Sequence, residues 1–154
     1  MLVATAPVTA MGLREATVDD LPQIVAMGRA FREAHYAEFI VENVPRMETQ
    51  ARALIEGESS LLLVAEGPSG LVGMIGMMLF PHFLSGELVA GELFWWVDPD
   101  HRGFAGLRLL KQAEKWAVEH GAARIQMIAP TLEVGRIYRR LGYQWIETGF
   151  QKTV

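Results

Sequence analysis

The stretch Val97–Leu110, VDPDHRGFAGLRLL, decides the fold, because a strand pattern ends in it and a helix pattern begins in it. The run GELFWWV, which ends at Val97, is apolar and aromatic and predicts a strand. Over Ala105–His120, apolar residues recur on one helical face and charged residues on the other, which predicts an amphipathic helix. A proline, an arginine and two glycines between them predict a tight corner.

This corner also has the chemistry of a phosphate site. The first amides of a helix lack intrahelical partners and carry partial positive charge, which favours a bound anion. Gly103 and Gly106 have no Cβ to block a ligand, and Arg102 adds a guanidinium able to bind phosphate oxygens in a bidentate fashion. Taken alone, a short loop with glycines is more often only a flexible corner.

Three strands are predicted before the corner. The apolar runs SSLLLVAE and GLVGMIGMMLF flank the turn sequence GPSG, and ELVAGELFWWV is the third strand. Two helices precede these strands. The first follows Thr17, whose spacing to Asp20 is close to that of a capping box, and a weaker one covers Arg46–Glu56.

The remaining elements complete a mixed α/β pattern. A short first strand is predicted at Leu13–Ala16; the corner helix is followed by the strand RIQMIA, a helix over Pro130–Leu141 and a final extended segment from Tyr143. The resulting order is β-α-α-β-β-β-α-β-α-β. It predicts a mixed sheet with helices on both faces, antiparallel strands first and then one right-handed parallel crossover.

Length, charge and composition limit the functional classes. The 154 residues suffice for one domain, which at this size buries about 70% of its unfolded surface. The net charge of −4 argues against nonspecific binding of nucleic acid. The absence of cysteine removes disulfides, thiolate metal sites and cysteine nucleophiles, and it fits a cytoplasmic location. The most apolar stretch, LVGMIGMMLFPHFL, is shorter than the roughly 20 residues of a membrane span, so no membrane partner is expected.

Two motifs together give a family resemblance. The turn VDPDHRG, followed by a helix, a strand and the segment IYRRLGY, resembles the GNAT family of acyl-CoA N-acyltransferases. The matching elements are V-x-P-x-x-R-G and Y-x-x-x-G-F/Y, the second formed by Tyr138, Gly142 and Tyr143. The resemblance implies a GNAT-like fold, with a mostly antiparallel sheet and a central parallel strand-helix-strand unit. It implies a single acyltransferase domain over residues 13–154. Residues 1–12 are mildly apolar but lack the basic start and longer apolar core of a signal peptide, so they are predicted to be a loose N-terminal extension.

The resemblance also implies a site for acetyl-CoA, used as a co-substrate without a metal. Trp95 and Val97 would contribute main-chain contacts, one of them to the thioester carbonyl. The turn would bind the pyrophosphate through the residues Arg102, Gly103, Phe104, Ala105, Gly106 and Leu107.

Three features depart from the family pattern. Ala105 and Leu107 stand where the family usually has small residues, mostly glycine, and Thr131 stands where it often has asparagine. Thr131 is then expected to cap its helix. The residues after Gly142 are few, which predicts a final hairpin reduced to one strand. The apolar residues Trp145, Ile146 and Phe150 in that segment suggest a homodimer.

Glu92 is the first candidate for a general base, acting through water. It lies five residues before Val97, an odd spacing that puts the two side chains on opposite faces of a regular strand, unless a bulge breaks the alternation. The alternative is a solvent-facing carboxylate without a catalytic role. Glu87, near the start of the same strand, is a weaker candidate.

Tyr138 resembles the family tyrosine that protonates the departing thiolate; the alternative is a buried aromatic residue on a helix. The segment HYAEFIVENVPR lies where the family builds its acceptor pocket, and Tyr36, Glu38 and Glu42 would attract a cationic amine there, unless the segment is only a solvated loop. The resulting hypothesis is an N-acetyltransferase acting on a primary amine of a small molecule or peptide, by direct attack in a ternary complex. A non-catalytic acyl-CoA-binding or regulatory module is the alternative.

Overall fold

A computed structural model describes residues 12–154 of the chain. The predicted extension over residues 1–12 therefore lies, except for Gly12, outside the described residues. The strands are β1 (Leu13–Glu15), β2 (Ser60–Gly67), β3 (Gly70–Pro81), β4 (Leu88–Val97) and β5 (Arg124–Gln126). The helices are α1 (Leu21–His35), α2 (Val44–Glu56), α3 (Phe104–Glu119) and α4 (Leu132–Arg140).

The five strands form one mixed sheet in the order β1-β2-β3-β4-β5. The first four strands are antiparallel to their neighbours, and β5 pairs with β4 in parallel after the crossover through α3. Apolar residues on one face of the sheet pack against α3, and those on the other face pack against α1 and α2. The predicted mixed sheet with helices on both faces is confirmed.

Local chemistry fixes the helix ends near the site. The hydroxyl of Thr131 accepts a hydrogen bond from the Val134 amide at 3.3 Å, which confirms its predicted role as the N-cap of α4. Gly121 follows α3 with φ +83°, a left-handed conformation that glycine adopts without strain. These ends set where α3 stops and where α4 starts.

One residue of β4 has no partner on β3. Glu92 lies opposite Met77 and Phe94 lies opposite Gly76, so Leu93 is the extra residue of a bulge. A bulge of this kind interrupts the regular alternation of side chains between the two faces of a sheet.

The bulge decides which face Glu92 occupies. Val97 lies opposite Gly73, and Glu92 lies opposite Met77, four residues further along β3. Direct cross-strand partners share a face, and so do residues an even number apart in a regular strand. Glu92 and Val97 are therefore on the same face, the one covered by α3, in spite of their odd spacing.

The final strand predicted from the sequence is not formed. Within the described chain the sheet ends at β5, which is three residues long instead of the predicted six, and no strand follows α4. Trp145 and Phe150 are 70% and 97% exposed, so the segment buries too little apolar surface to hold a strand against β5. One anchor of this segment is the Gln151 side chain, which donates to the Phe39 carbonyl at 3.3 Å.

In the part of the chain that the structure describes, no helix is long and apolar enough to cross a membrane.

Candidate functional site

The sheet opens between β4 and β5. The two strands pair only over Val89–Gly91 and Arg124–Gln126, after which the chain leaves β5 while β4 continues to Val97. Among the described residues, no strand pairs with residues 92–97 on the side of β5. Main-chain groups of β4 are thus available in a wedge whose borders include the start of α3 and α4.

Glu92 lies in this wedge and is 5% exposed. Its Oε2 atom accepts a hydrogen bond from the backbone N–H of Ile128 at 2.8 Å, just beyond the end of β5. Burial raises the pKa of Glu92 to about 7, although the Ile128 hydrogen bond opposes the shift. The solvent-facing alternative is therefore wrong, because the carboxyl is buried.

Tyr138 is held against the same residue, Ile128. Its hydroxyl donates to the carbonyl of Ile128 at 3.4 Å, so the amide of this residue binds Glu92 and its carbonyl binds Tyr138. Burial, with the nearby charge of Glu92, raises the pKa of Tyr138 above its usual range and keeps the hydroxyl protonated at neutral pH. Its ring is buried, as the non-catalytic alternative assumes, yet its hydroxyl is close to the candidate base.

The turn before α3 leaves space for a ligand. Gly103 is the N-cap residue with φ +106° and ψ −109°, and no heavy atom lies within 4 Å of the position that a Cβ would occupy. The amides of residues 104–106 begin the helix and have no intrahelical acceptor. Leu107 differs from the other predicted turn residues, because its amide donates to the Gly103 carbonyl at 3.3 Å and belongs to the helix.

Gly106 faces the sheet instead of the open side of the turn. A Cβ added there would lie 3.3 Å from Cζ2 of Trp95 and 3.5 Å from Cγ2 of Val97. The glycine thus lets α3 approach β4 closely, and the expectation that it makes room for a ligand is not met. Ala105 is buried with the α3 core, whereas Phe104 is 74% exposed beneath the guanidinium of Arg108.

Arg102 turns back toward β4. Its Nε donates to the Val97 carbonyl at 3.2 Å, and its guanidinium carbon lies 5.2 Å from the ring centroid of Trp96. The Trp96 ring is itself fixed by a hydrogen bond from its Nε1 to Asp98 at 2.9 Å. Arg102 therefore holds the corner together, and it engages the main-chain carbonyl of a residue predicted to contact the cofactor.

Two side-chain nitrogen atoms among the described residues are buried without a hydrogen-bond partner, Nε1 of Trp95 and Nδ1 of His101. The Trp95 ring stacks on Tyr138, with centroids 5.7 Å apart and planes inclined by 23°. His101 is half-buried. Neither orphaned atom could be predicted from the sequence, because each depends on how the corner packs.

The predicted acidic acceptor segment is only partly acidic. Glu42 forms an ion pair with Arg29 at 2.7 Å, which neutralises it, while Glu38 is exposed. Burial and the charge of Glu92 raise the pKa of Tyr36.

Glu87, the weaker base candidate, pairs with Arg124 at 3.1 Å at the far end of β4. Within residues 12–154 no group of three or more acidic or histidine side chains could hold a metal ion.

Comparison with known proteins gives a consistent picture. The family model described as the acetyltransferase (GNAT) family matches residues 24–143. No curated protein matches the sequence. Solved structures do match, and the predicted GNAT-like fold is confirmed by them.

Three of these structures illustrate the range. A transcriptional regulator from Bacillus halodurans C-125 has a TM-score of 0.79 and 22% identity, covering 94% of this chain and 99% of its own. An aminoglycoside acetyltransferase from an uncultured soil metagenomic sample has a TM-score of 0.73 and 15% identity, covering 95% and 99%. A ribosomal-protein-alanine N-acetyltransferase from Brucella melitensis biovar Abortus 2308 has a TM-score of 0.72 and 17% identity, covering 94% and 99%.

Proposed function

Because the chain belongs to the acetyltransferase (GNAT) family, we propose that it transfers the acetyl group of acetyl-CoA to a primary amine by direct attack within a ternary complex. The observation that carries this proposal is the buried Glu92, with a pKa of about 7, hydrogen-bonded to the same residue, Ile128, as Tyr138 where β4 and β5 separate. The acceptor is an amine on a small molecule or a peptide.

The residues of the wedge fit an acyl-CoA. The open space at Gly103 and the free amides of residues 104–106 suit a pyrophosphate, and the unpaired edge of residues 92–97 supplies main-chain donors for a thioester carbonyl. Arg102 supports this site by holding the corner through its Nε, and the two terminal nitrogens of its exposed guanidinium can donate to a phosphate.

The proposed reaction needs a base and an acid. A lysine-like amine has a pKa of about 10.4, so presenting it neutral at pH 7 costs about 4 to 5 kcal/mol. The ammonium group loses one proton to solvent before attack, and Glu92 accepts the second, through water, as the new N–C bond forms and the C–S bond breaks. A thiolate leaving group has a pKa of about 8.5 and takes the proton of the Tyr138 hydroxyl, which is restored by the proton that Glu92 accepted. Near pH 7 Glu92 can be ionised, as a base must be, and Tyr138 is protonated, as an acid must be.

A second candidate is a non-catalytic acyl-CoA-binding module. The hydrogen bond from Nε of Arg102 to Val97 and the helical hydrogen bond of the Leu107 amide favour it, because both reduce the number of donors facing a phosphate. The similar structure described as a transcriptional regulator is compatible with such a role. The two candidates differ in turnover, not in binding.

Calorimetric titration with acetyl-CoA, CoA and dephospho-CoA tests the proposal. We expect a Kd in the micromolar range for acetyl-CoA, about −8 kcal/mol. Weaker binding of dephospho-CoA would show that the protein recognises the 3′-phosphate. Binding followed by acetyl transfer to members of an amine panel supports the enzyme. Binding without transfer to any of them favours the module, and failure to bind any of the three ligands contradicts both.

The Gly103→Ala variant tests the turn directly. A residue with a Cβ is strained at φ +106° and ψ −109°, so we expect a loss of about 1 to 3 kcal/mol of unfolding free energy, or a shifted turn. Either outcome should weaken acetyl-CoA binding by about tenfold.

Gly121→Ala is the matched control for this substitution. Gly121 also has a positive φ and open space at its Cβ position, but it lies at the opposite end of α3. It should lose stability and keep its affinity for acetyl-CoA. Equal affinities for both variants and the wild type would remove the turn from the binding site.

A further inference from the structure

Trp95 links the turn to Tyr138 through its side chain. It lies opposite Ile75, two residues from Val97, and so shares the face of the sheet that α3 covers. One surface of its indole stacks on Tyr138. The main-chain role that the sequence predicts for Trp95 would be served by any side chain, so it does not explain this arrangement.

The indole N–H of Trp95 has no hydrogen-bond acceptor among the described residues. The carbon that carries the nitrogen, Cε2, lies 3.7 Å from the Cβ position of Gly106, and the adjacent Cζ2 lies 3.3 Å from it. The N–H edge of the ring is therefore beside the first turn of α3. The nitrogen is buried, and none of the described residues accepts its hydrogen bond.

A buried donor without an acceptor is unfavourable and uncommon, which indicates that a further molecule supplies the acceptor. Neither neighbour supplies the acceptor, because Gly106 has no side chain and the Tyr138 hydroxyl, which donates to Ile128, makes no hydrogen bond with the indole. An uncharged donor enclosed by aromatic and aliphatic groups suits an uncharged oxygen better than a phosphate, whose burial would be costly.

We infer that the indole N–H of Trp95 is a binding group for acyl-CoA, donating to a carbonyl oxygen of the pantetheine arm or thioester, with Tyr138 holding the ring in place. This inference rests on the proposed function. It assigns the side chain, and not only the main chain, of Trp95 to the site.

The Trp95→Phe variant removes the N–H and keeps an aromatic ring for stacking. We expect calorimetry to show acetyl-CoA binding about tenfold weaker than in the wild type. Adenosine 3′,5′-diphosphate lacks the pantetheine arm and should bind both proteins equally. Trp116→Phe is the matched control, because Trp116 is also buried and stacked, on His120 at 4.7 Å, and it should bind acetyl-CoA within about twofold of the wild type.

A second measurement needs no variant that alters the site. The chain has four tryptophans, and their indole ¹⁵N–¹H resonances can be assigned from substitutions of the other three. Saturating acetyl-CoA should shift the Trp95 indole proton downfield and slow its exchange with solvent, whereas adenosine 3′,5′-diphosphate should leave it unchanged.

The outcomes separate this inference from the proposed function. A wild type that binds acetyl-CoA while Trp95→Phe binds equally well, or while the Trp95 indole proton does not move, overturns the inference alone and assigns the N–H to a buried water. Equal loss of both ligands in Trp95→Phe also overturns it, because the effect would not depend on the arm. A wild type that binds no acyl-CoA overturns the proposed function and this inference together.

Discussion

Replacing Glu92 with glutamine is expected to lower kcat/KM for acetyl transfer by about 100-fold or more, the usual contribution of a positioned general base. Glutamine keeps an oxygen that can accept the Ile128 N–H, so the wedge should keep its shape while the proton acceptor is lost. Initial rates with an active amine, and calorimetry showing unchanged acetyl-CoA affinity, measure the effect. Glu87→Gln, at the ion pair with Arg124, is the matched control and should retain full activity.

The pH profile gives a second readout of the same group. Glu92 can accept a proton only when ionised, so kcat/KM of the wild type should rise with pH through an apparent pKa of about 7. The Glu92→Gln variant should lack this limb. An acceptor whose own amine titrates far from pH 7 separates the two ionisations. A wild-type limb that persists in the variant, or a loss of activity in Glu87→Gln instead, would assign the base elsewhere.

The substitution Glu92→Gln should also change the stability of the protein in a defined direction. The carboxyl pKa rises from 4.5 in the unfolded chain to about 7 in the folded one, so between these values the unfolded chain releases a proton that the folded chain retains. The wild type therefore loses stability as pH rises from 4.5 to 7, by up to about 3 kcal/mol. Glu92→Gln avoids this loss, and denaturant unfolding at pH 8 should find it more stable than the wild type. Lower activity with higher stability excludes misfolding as the cause.

Replacing Tyr138 with phenylalanine is expected to reduce kcat by about 10- to 100-fold, with little change in the KM for acetyl-CoA. The ring can still stack on Trp95, and the lost hydrogen bond to Ile128 is long, so stability should fall by less than about 1 kcal/mol. If the hydroxyl protonates the leaving thiolate, the defect should shrink for an acetyl thioester with a more acidic thiol. Steady-state kinetics with both thioesters measure this difference.

Tyr143→Phe is the control for this substitution. Its hydroxyl donates to Glu114 on α3 at 2.7 Å, and its ring lies 5.7 Å from that of Tyr138. It loses a stronger hydrogen bond in the same aromatic group, so it should lose stability while keeping turnover. Normal kcat in Tyr138→Phe would remove this hydroxyl from the mechanism and favour the buried-aromatic alternative.

The sequence predicted the parts of the site that depend on local pattern. Strand, corner and amphipathic helix around Gly103 follow from periodicity and glycine, and the cap at Thr131 follows from side-chain chemistry. The prediction of a final strand was wrong, because a sequence pattern can favour an extended chain although no neighbouring strand is available to pair with it and bury it. Strand formation after Gly142 depends on β5, which is only three residues long.

The parts that were missed depend on packing across the sheet. The bulge at Leu93 has no glycine or proline beside it on its own strand. Its signal is on the partner strand, where Gly76 leaves room for the ring of Phe94, and a glycine inside a strand is a known marker of bulges and close approach. The contacts of Gly106 and Arg102 were missed for a related reason. Gly106 lets α3 approach β4, and Arg102 binds the Val97 carbonyl of that strand, and the spacing of residues in the sequence does not reveal either contact.

The extra residue in β4 also affects how relatives should be aligned. Because Leu93 is unpaired, the distance from the carboxylate to Val97 is odd although the two side chains share a face. A homologue with an unbulged strand can present a carboxylate at the same place only from four residues before the equivalent valine. Column-by-column identity would then report the carboxylate of Glu92 as lost. Whether a relative has this carboxylate should therefore be judged from the face of the strand on which the residue lies, counted with or without the bulge, and not from its alignment column.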